Sequence, residues 1–336
     1  MVRRFNLADI LLVKRLQGQG ACLDLETTLL GSPAPLTMAL LEYVSPSAAH
    51  ISTFVENDQS MDNRRQGFLQ AWDRPDGQGC DVVSIAPALT ESPVISQLWC
   101  DLLEHAIRVK GEQGMHRIFA KLAEDEPGVD VFRQIGFSTY TRRDIFRLDK
   151  IPPSLEPAKG RSLRSLEKGD DWKLLRLRSS LTPRLVQMAE GGIMGERDLL
   201  GPLPWWRARQ VKEYVFADDG NFHAYLCVVV GQEGHWLRIM VQPEAPMNVD
   251  WLLSESLSML STYPPRPVYC SLREYEAGVR GGLEELGFQP LASELLMVKQ
   301  TTVRMSVPVD QLRPALEKGV ETAAPISTSN SCEEIL

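Results

Sequence analysis

The pattern of hydrophobic and polar positions runs through the same order of elements twice along the chain. Each copy starts with an apolar run that ends in proline, continues with apolar residues every three or four positions, and returns to a short apolar run. Such runs are typical of buried strands, and the spacing of three to four is typical of an amphipathic helix. The predicted strand, helix and strand are 81–87, 94–110 and 117–122 in the first copy, and 235–243, 249–260 and 267–272 in the second.

Each copy then ends with a second short amphipathic helix, a Gly-Phe pair and another β-like apolar run. The pairs are Gly136-Phe137 and Gly287-Phe288, which lie 151 residues apart (287 − 136). A glycine just past a helix C-terminus adopts the left-handed conformation without steric cost, and a core phenylalanine can follow it. The spacing equals one domain length, so the sequence predicts two copies of one fold.

Turns and prolines separate the copies. In the second copy, glycine-containing turns at 218–221 and 231–234 join three strands into an antiparallel meander that precedes the strand-helix-strand unit. Residues 149–160 include three prolines, which continue neither a helix nor a central strand.

We therefore predict an α/β (α+β) fold of two tandem domains, each with a mixed, mostly antiparallel sheet flanked by helices. The predicted parts are a first half at 1–150, a linker at 151–161, a second half at 162–305 and a tail at 306–336.

Composition and charge narrow the functional classes. The chain has 336 residues and a formal net charge of −8, so it lacks the positive field that holds a nucleic acid or an anionic membrane. No apolar run approaches the roughly 18 residues of a membrane span. The six cysteines stand singly and the five histidines lack metal-ligand spacing. We expect a soluble, cytoplasmic protein without a metal, a nucleic-acid partner or a membrane partner.

The repeated motifs resemble those of the Gcn5-related N-acetyltransferase (GNAT) superfamily, in a tandem form. The family ends its core with a helix of pattern Y-x-x-x-G-F, which FRQIGF at 132–137 and LEELGF at 283–288 resemble. Its fourth strand ends in V-x-P, which IAP at 85–87 and VQP at 241–243 resemble. The resemblance covers most of residues 1–305. It implies acetyl-CoA or another acyl-CoA as cofactor, a small-molecule amine or a peptide as acceptor, and pairing of the two domains within the chain.

The resemblance also implies where the cofactor would bind. The family holds the pyrophosphate with backbone N–H groups of a glycine-containing loop, at the start of the helix after the fourth strand. Both loops of this chain lack those glycines, and Glu91 adds a negative charge to the first loop. The second loop is therefore favoured, with Val241, Met247, Asn248 and Val249 as cofactor-binding candidates. Both loops also suit simple helix starts, which is the alternative interpretation.

Candidates for catalysis are few. The tyrosine that acts as acid in many family members is replaced by Phe132 and Leu283, which cannot donate a proton. Tyr275, just after the second short strand, is placed to approach a thioester, and Glu213 on the meander is a candidate base. His235 at a strand end is a second candidate base. A structural role is the alternative for each of these three residues.

Two further segments have open interpretations. Trp205 and Trp206 are candidates for a wall of the acceptor pocket or for packing between the two halves. The pair Arg142-Arg143 fits a solvated strand edge better than an anion site. Two functions remain open at this point. One is an acyl-CoA-dependent N-acyltransferase acting on an unknown amine, and the other is a catalytically inactive pseudo-acetyltransferase that serves as a ligand-binding or protein-interaction module.

Overall fold

A mixed sheet runs through both halves of the chain. The computed structural model describes residues 1–31, 34–45, 50–58, 65–152, 163–191, 210–218, 220–245 and 249–301. The strands in these ranges are β1 Arg3–Arg4, β2 Ala21–Cys22, β3 Ile51–Asn57, β4 Gln66–Asp73, β5 Gly79–Ala86, β6 Arg117–Ala123, β7 Ser138–Leu148, β8 Arg164–Ser165, β9 Gln210–Asp218, β10 Asn221–Val230, β11 His235–Val241, β12 Val268–Arg273 and β13 Gln289–Gln300.

Helices flank the sheet on both faces. The α-helices of the described residues are α1 Ile10–Leu16, α2 Leu25–Leu30, α3 Pro35–Val44, α4 Pro93–Glu112, α5 Gly128–Ile135, α6 Asp171–Leu181, α7 Arg184–Glu190, α8 Val249–Leu260 and α9 Arg280–Glu285. Short 3₁₀ helices span Leu7–Asp9, Lys168–Asp170 and Glu274–Val279. The predicted mixed α/β fold is confirmed, and α8 has the predicted bounds. Each helix in the described ranges is too short or too polar to span a lipid bilayer.

The two halves exchange their last strands. The strand order is β1-β3-β4-β5-β6-β13-β7-β12-β11-β10-β9-β8, with β2 also paired to β5. Strand β13 of the second half therefore lies between β6 and β7 of the first half, and β7 lies between β13 and β12. Arg143 on β7 pairs with Glu294 on β13, and these two positions differ by 151 residues (294 − 143), the same offset as the Gly-Phe pairs. Equivalent positions of the two copies thus face each other across an approximate two-fold axis.

The Gly-Phe pairs close the same helix-ending motif in both halves. Gly136 and Gly287 have φ angles of 97° and 90°, which place them in the left-handed region. The N–H of Phe137 donates to the carbonyl oxygen of Phe132 at 3.0 Å, and Phe288 N–H donates to Leu283 O at 3.0 Å. This six-residue hydrogen bond satisfies a carbonyl that the helix leaves unpaired, and it points the phenylalanine into the core.

Separate cores lie on the faces of the sheet. In the first half α4 contributes Trp99 and Leu102, both fully buried, to a core that includes Phe132. In the second half α8 contributes Leu252 and Leu257 to one face, while α6 packs on the opposite face. Full burial of a side chain of this size stabilises the fold by about 1.5–3 kcal/mol. The buried side chains of α4 and α8 therefore hold these helices in place after β5 and β11.

A second repeat opens each half. The Arg3 guanidinium donates to both carboxylate oxygens of Asp9 at 2.6 and 2.8 Å, and Arg164 donates to Asp170 at the same two distances. Because of this pair, the pKa of Asp170 is lowered to about 2. The offset here is 161 residues (164 − 3), ten more than at the Gly-Phe pairs. The first half is thus longer than the second by ten residues between these two motifs.

Candidate functional site

Each half contains a pair of parallel strands that part at their carboxyl ends. In the second half, the ladder between β11 and β12 runs from His235 paired with Val268 to Arg238 paired with Ser271, and stops there. Residues 239–241 of β11 and 272–273 of β12 extend beyond it. The two strands therefore stop pairing before their carboxyl ends, and we call the region beyond the last pair the second-half opening. Crevices at the carboxyl ends of parallel strands are common ligand sites.

The first half has the equivalent pair of strands. The ladder between β5 and β6 runs from Gly79 paired with Arg117 to Val82 paired with Ala120. Both strands continue beyond the ladder, to Ala86 and Ala123. We call the space beyond these pairs the first-half opening.

Two of the cofactor candidates flank the second-half opening. Val241 is the last residue of β11, and Val249 is the first residue of α8. Both side chains are half-buried and pack against the core of the second half. Met247 and Asn248 lie outside the described residues, as do Trp205 and Trp206. Their predicted roles stay predictions.

Tyr275 lies at the other side of this opening. It belongs to the 3₁₀ helix that directly follows β12, and its hydroxyl oxygen accepts a hydrogen bond from Arg273 Nη1 at 2.9 Å. Arg273 also forms an ion pair with Glu190 on α7 at 2.8 Å. The Arg273 guanidinium thus holds the Tyr275 hydroxyl near the carboxyl end of β12, beside the second-half opening.

The structure does not bring Glu213 next to Tyr275. Glu213 lies on β9, which β10 and β11 separate from β12. At a strand spacing of about 4.8 Å, the backbone of β9 is roughly 10 Å from that of β11. The carboxylate of Glu213 accepts a hydrogen bond from the hydroxyl of Tyr225 at 2.6 Å, and burial raises the pKa of Tyr225 well above its usual value. The hydrogen bond to Tyr225 does not connect Glu213 to the second-half opening, and its role as a base stays a prediction.

His235 has a structural environment. Its side chain is 1% exposed, and its Nε2 atom lies 3.1 Å from the carbonyl oxygen of Pro264. Burial lowers the pKa of the imidazole. His235 is the first residue of β11 and lies at the opposite end of that strand from the opening.

A buried ion-pair cluster lies where the halves meet, and we call it the central cluster. Glu26 on α2 accepts hydrogen bonds from Arg238 Nη2 at 2.6 Å and from Arg143 Nη1 at 3.3 Å. Arg143 also donates through Nε to Glu294 at 2.9 Å. Burial by itself would raise the pKa of Glu26, but the positive charges of Arg238 and Arg143 hold that pKa below its usual value. The cluster ties α2 of the first half to β11 of the second.

The expectation of a solvated edge was wrong for Arg143. Its side chain is 7% exposed, whereas that of Arg142 is 56% exposed and pairs with Glu124. The exchanged strand β13 covers the edge that β7 would otherwise present to water, and it brings Glu294 to Arg143. Arg142 and Arg143 point to opposite faces of the sheet, and Arg143 lies on the face where α2 brings Glu26 to it.

The two positions that match the tyrosine of the Y-x-x-x-G-F pattern are closed to solvent. Phe132 and Leu283 are 0% exposed and belong to the two cores. A proton donor is therefore absent from both positions, and neither side chain contacts solvent. Among the described residues, no group of three or more His, Cys, Asp or Glu side chains could hold a metal ion.

A groove of about 420 Å³ lies next to the end of β11, on the face covered by α6. Its lining includes Trp172, Lys173 and Arg176 of α6, and Gln242, the residue after β11. None of the lining residues carries a carboxylate, in a chain whose net charge is −8. Trp172 is 71% exposed. This groove therefore presents positive charge and an aromatic surface near the second-half opening.

The strand order with two parted pairs of parallel strands, each followed by a helix, is the fold of the Gcn5-related N-acetyltransferases, here in tandem form. A GCN5-related N-acetyltransferase from Sphaerobacter thermophilus is similar to this chain, with a TM-score of 0.55, 13% identity, and 89% of this chain and 95% of that one covered. A tandem GNAT protein from the clavulanic acid biosynthesis pathway, solved without acetyl-CoA, has a TM-score of 0.52 and 15% identity, with 89% and 98% covered. Neither a family sequence model nor a curated protein matches the chain.

Proposed function

We propose that the chain is an acyl-CoA-dependent N-acyltransferase that holds acyl-CoA in the second-half opening and transfers the acyl group to an amine. The observation that carries the proposal is the parting of β11 and β12 beyond Arg238 and Ser271. In the described residues, no strand pairs with residues 239–241 on the side that faces β12. The edge of β11 can therefore offer backbone N–H and C=O groups to the two amides of an acyl-CoA arm.

The chemistry needs three further functions from this site. The thioester oxygen needs hydrogen-bond donors as it becomes an oxyanion, the thiolate that leaves needs a proton, and the amine must lose one. Backbone N–H groups at the strand edge suit the first function. Tyr275 is the candidate for the second, because its hydroxyl stands beside β12 and the neighbouring Arg273 cation stabilises negative charge there. Glu213 remains the candidate base, and its distance from the opening requires a proton path through Tyr225 or water.

The phosphates of acyl-CoA would lie outside the strand ends. The loop before α8 lacks the glycines that bring backbone N–H groups close to a phosphate. Lys173 and Arg176 in the neighbouring groove supply positive charge near the end of β11. This charge supports binding of an anionic cofactor to the second half of an otherwise acidic chain.

A titration with acetyl-CoA tests the proposal. At about 100 times the dissociation constant, the ligand should stabilise the folded chain by about 2.7 kcal/mol, which is several degrees in Tm. Val249→Glu places a carboxylate at the start of α8 and should abolish the shift. Val94→Glu, at the start of α4 in the first half, is the matched control and should keep it. Release of free thiol from acetyl-CoA in the presence of a panel of amines then measures transfer.

A non-catalytic ligand-binding or interaction module is the second candidate. The closed, apolar positions of Phe132 and Leu283 favour it, because the acid of the family has no equivalent there. Stabilisation by acetyl-CoA without thiol release for any amine would support the module. Thiol release that Tyr275→Phe lowers at unchanged acetyl-CoA affinity would support the enzyme.

A further inference from the structure

The first-half opening contains a segment of the chain itself. Strand β2 pairs with β5 in antiparallel register, Ala21 with Ile85 and Cys22 with Ser84. A strand has two edges, and β4 pairs with one edge of β5 as far as Ala86. Strand β2 must therefore lie on the other edge, which β6 leaves after Val82. This is the edge that borders the first-half opening.

Hydrogen bonds extend this pairing in both directions. Leu23 N–H donates to Val83 O at 3.0 Å, and Ala88 N–H donates to Gln19 O at 2.6 Å. A Cβ atom on Gly20 would lie 2.9 Å from the carbonyl oxygen of Ile85, so the backbones approach as closely as they can without a side chain. The segment Gln19–Leu23, which we call the internal strand, thus uses the polar groups of this edge from Val83 to Ala88.

Residues after the internal strand fix its position. Asp24 forms an ion pair with Lys121 on β6 at 3.2 Å, so the chain crosses from β5 to β6 over the opening. Glu26 on α2 then enters the central cluster through Arg238 and Arg143. The internal strand is therefore held at β5, at β6 and at the junction of the halves.

We propose that the internal strand occupies the first-half opening in place of a ligand, so that the chain binds one acyl-CoA, in the second half. This assignment rests on the proposed function. The backbone N–H and C=O groups of β5 that pair with Gln19–Leu23 are already hydrogen-bonded, so they are not available to the amides of an acyl-CoA arm. In the described residues of the second half, no segment pairs with β11 in the same way.

Hydrogen exchange tests the internal strand without any cofactor. In the free chain, peptides that contain 19–23 and 83–88 should be protected, and acetyl-CoA should leave their exchange unchanged. Gly20→Val should raise exchange in both peptides at least about ten-fold, because the added side chain separates the two backbones. Gly18→Val is the control, since a Cβ there meets nothing within 4 Å. Rapid exchange of both peptides in the wild-type chain would overturn the proposal.

Calorimetric titration with acetyl-CoA tests the stoichiometry. We expect one equivalent per full-length chain, lost in Val249→Glu and kept in Val94→Glu. Two equivalents, or loss only in Val94→Glu, would overturn the assignment. If the wild-type chain binds no acetyl-CoA while both peptides remain protected, the proposed function fails and the internal strand stands.

Discussion

Removal of the Glu26 carboxylate should destabilise the fold strongly, because this group neutralises two buried arginines from different halves. Glu26 is 5% exposed and accepts hydrogen bonds from Arg238 and Arg143. Glu26→Ala leaves Arg238 without the carboxylate that faces it, while Arg143 keeps Glu294. Breaking a buried ion pair from one side costs about 3–5 kcal/mol, and the retained Glu294 places the expected loss near the lower end, about 3 kcal/mol.

Urea unfolding of the wild-type and variant chains measures this loss. Glu112→Ala is the matched control, because Glu112 pairs with Arg108 on the surface of α4, where both side chains are more than half exposed. Its cost should stay below about 0.5 kcal/mol. A Glu26→Ala variant within about 1 kcal/mol of the wild type would refute the view that the central cluster joins the two halves.

The pH dependence of Glu26→Gln gives a second readout. Folding lowers the pKa of Glu26, so its contribution is fully present above the unfolded-state pKa of about 4.3 and is lost as the pH falls through the folded-state pKa. The difference in stability between wild type and Glu26→Gln should therefore shrink on acidification. A difference that is constant from neutral to acidic pH would contradict the ion-pair explanation.

Three further substitutions test the backbone conformation at two glycines and the burial of one carboxylate. Gly287→Ala should lower the free energy of unfolding by about 1 kcal/mol, because the φ of 90° at Gly287 disfavours a side chain. Gly281→Ala, within α9, should raise it by about 0.5–1 kcal/mol. Denaturant midpoints measure both changes, and a shift of both midpoints in the same direction would contradict the backbone roles assigned to these glycines. Burial raises the pKa of Glu276, so its carboxylate form disfavours folding as the pH rises through that pKa. Glu276→Gln can still accept the Arg273 N–H bond, and it should raise Tm at about pH 8 but not at about pH 4; no pH dependence would contradict this.

The repeated local motifs could be predicted from the sequence because short-range geometry determines them. The Gly-Phe pairs need a left-handed residue and an apolar side chain next to it, and both are visible as letters at a fixed offset. The helix Val249–Leu260 follows from its apolar spacing in the same way. The Arg-Asp pairs at 3 and 9 and at 164 and 170 have an equally local signal, an arginine six residues before an aspartate.

The exchange of strands could not be predicted in this way. Strands β7 and β13 carry similar apolar runs, so the local pattern is the same whether each pairs within its own half or with the other. Only the three-dimensional register places Glu294 opposite Arg143 and buries both. Strand β2 has two residues, which is too short for a periodic signal, and its position depends on the edge of β5 that β6 leaves.

A crystal structure of the full chain grown with acetyl-CoA would show directly which of the two openings binds the cofactor. We expect one acetyl-CoA per chain, with its arm between the carboxyl ends of β11 and β12 and its thioester near Tyr275, while Gln19–Leu23 stays paired with β5. Acetyl-CoA bound between β5 and β6 with the internal strand displaced, or crystals at saturating ligand with an empty second-half opening, would contradict it.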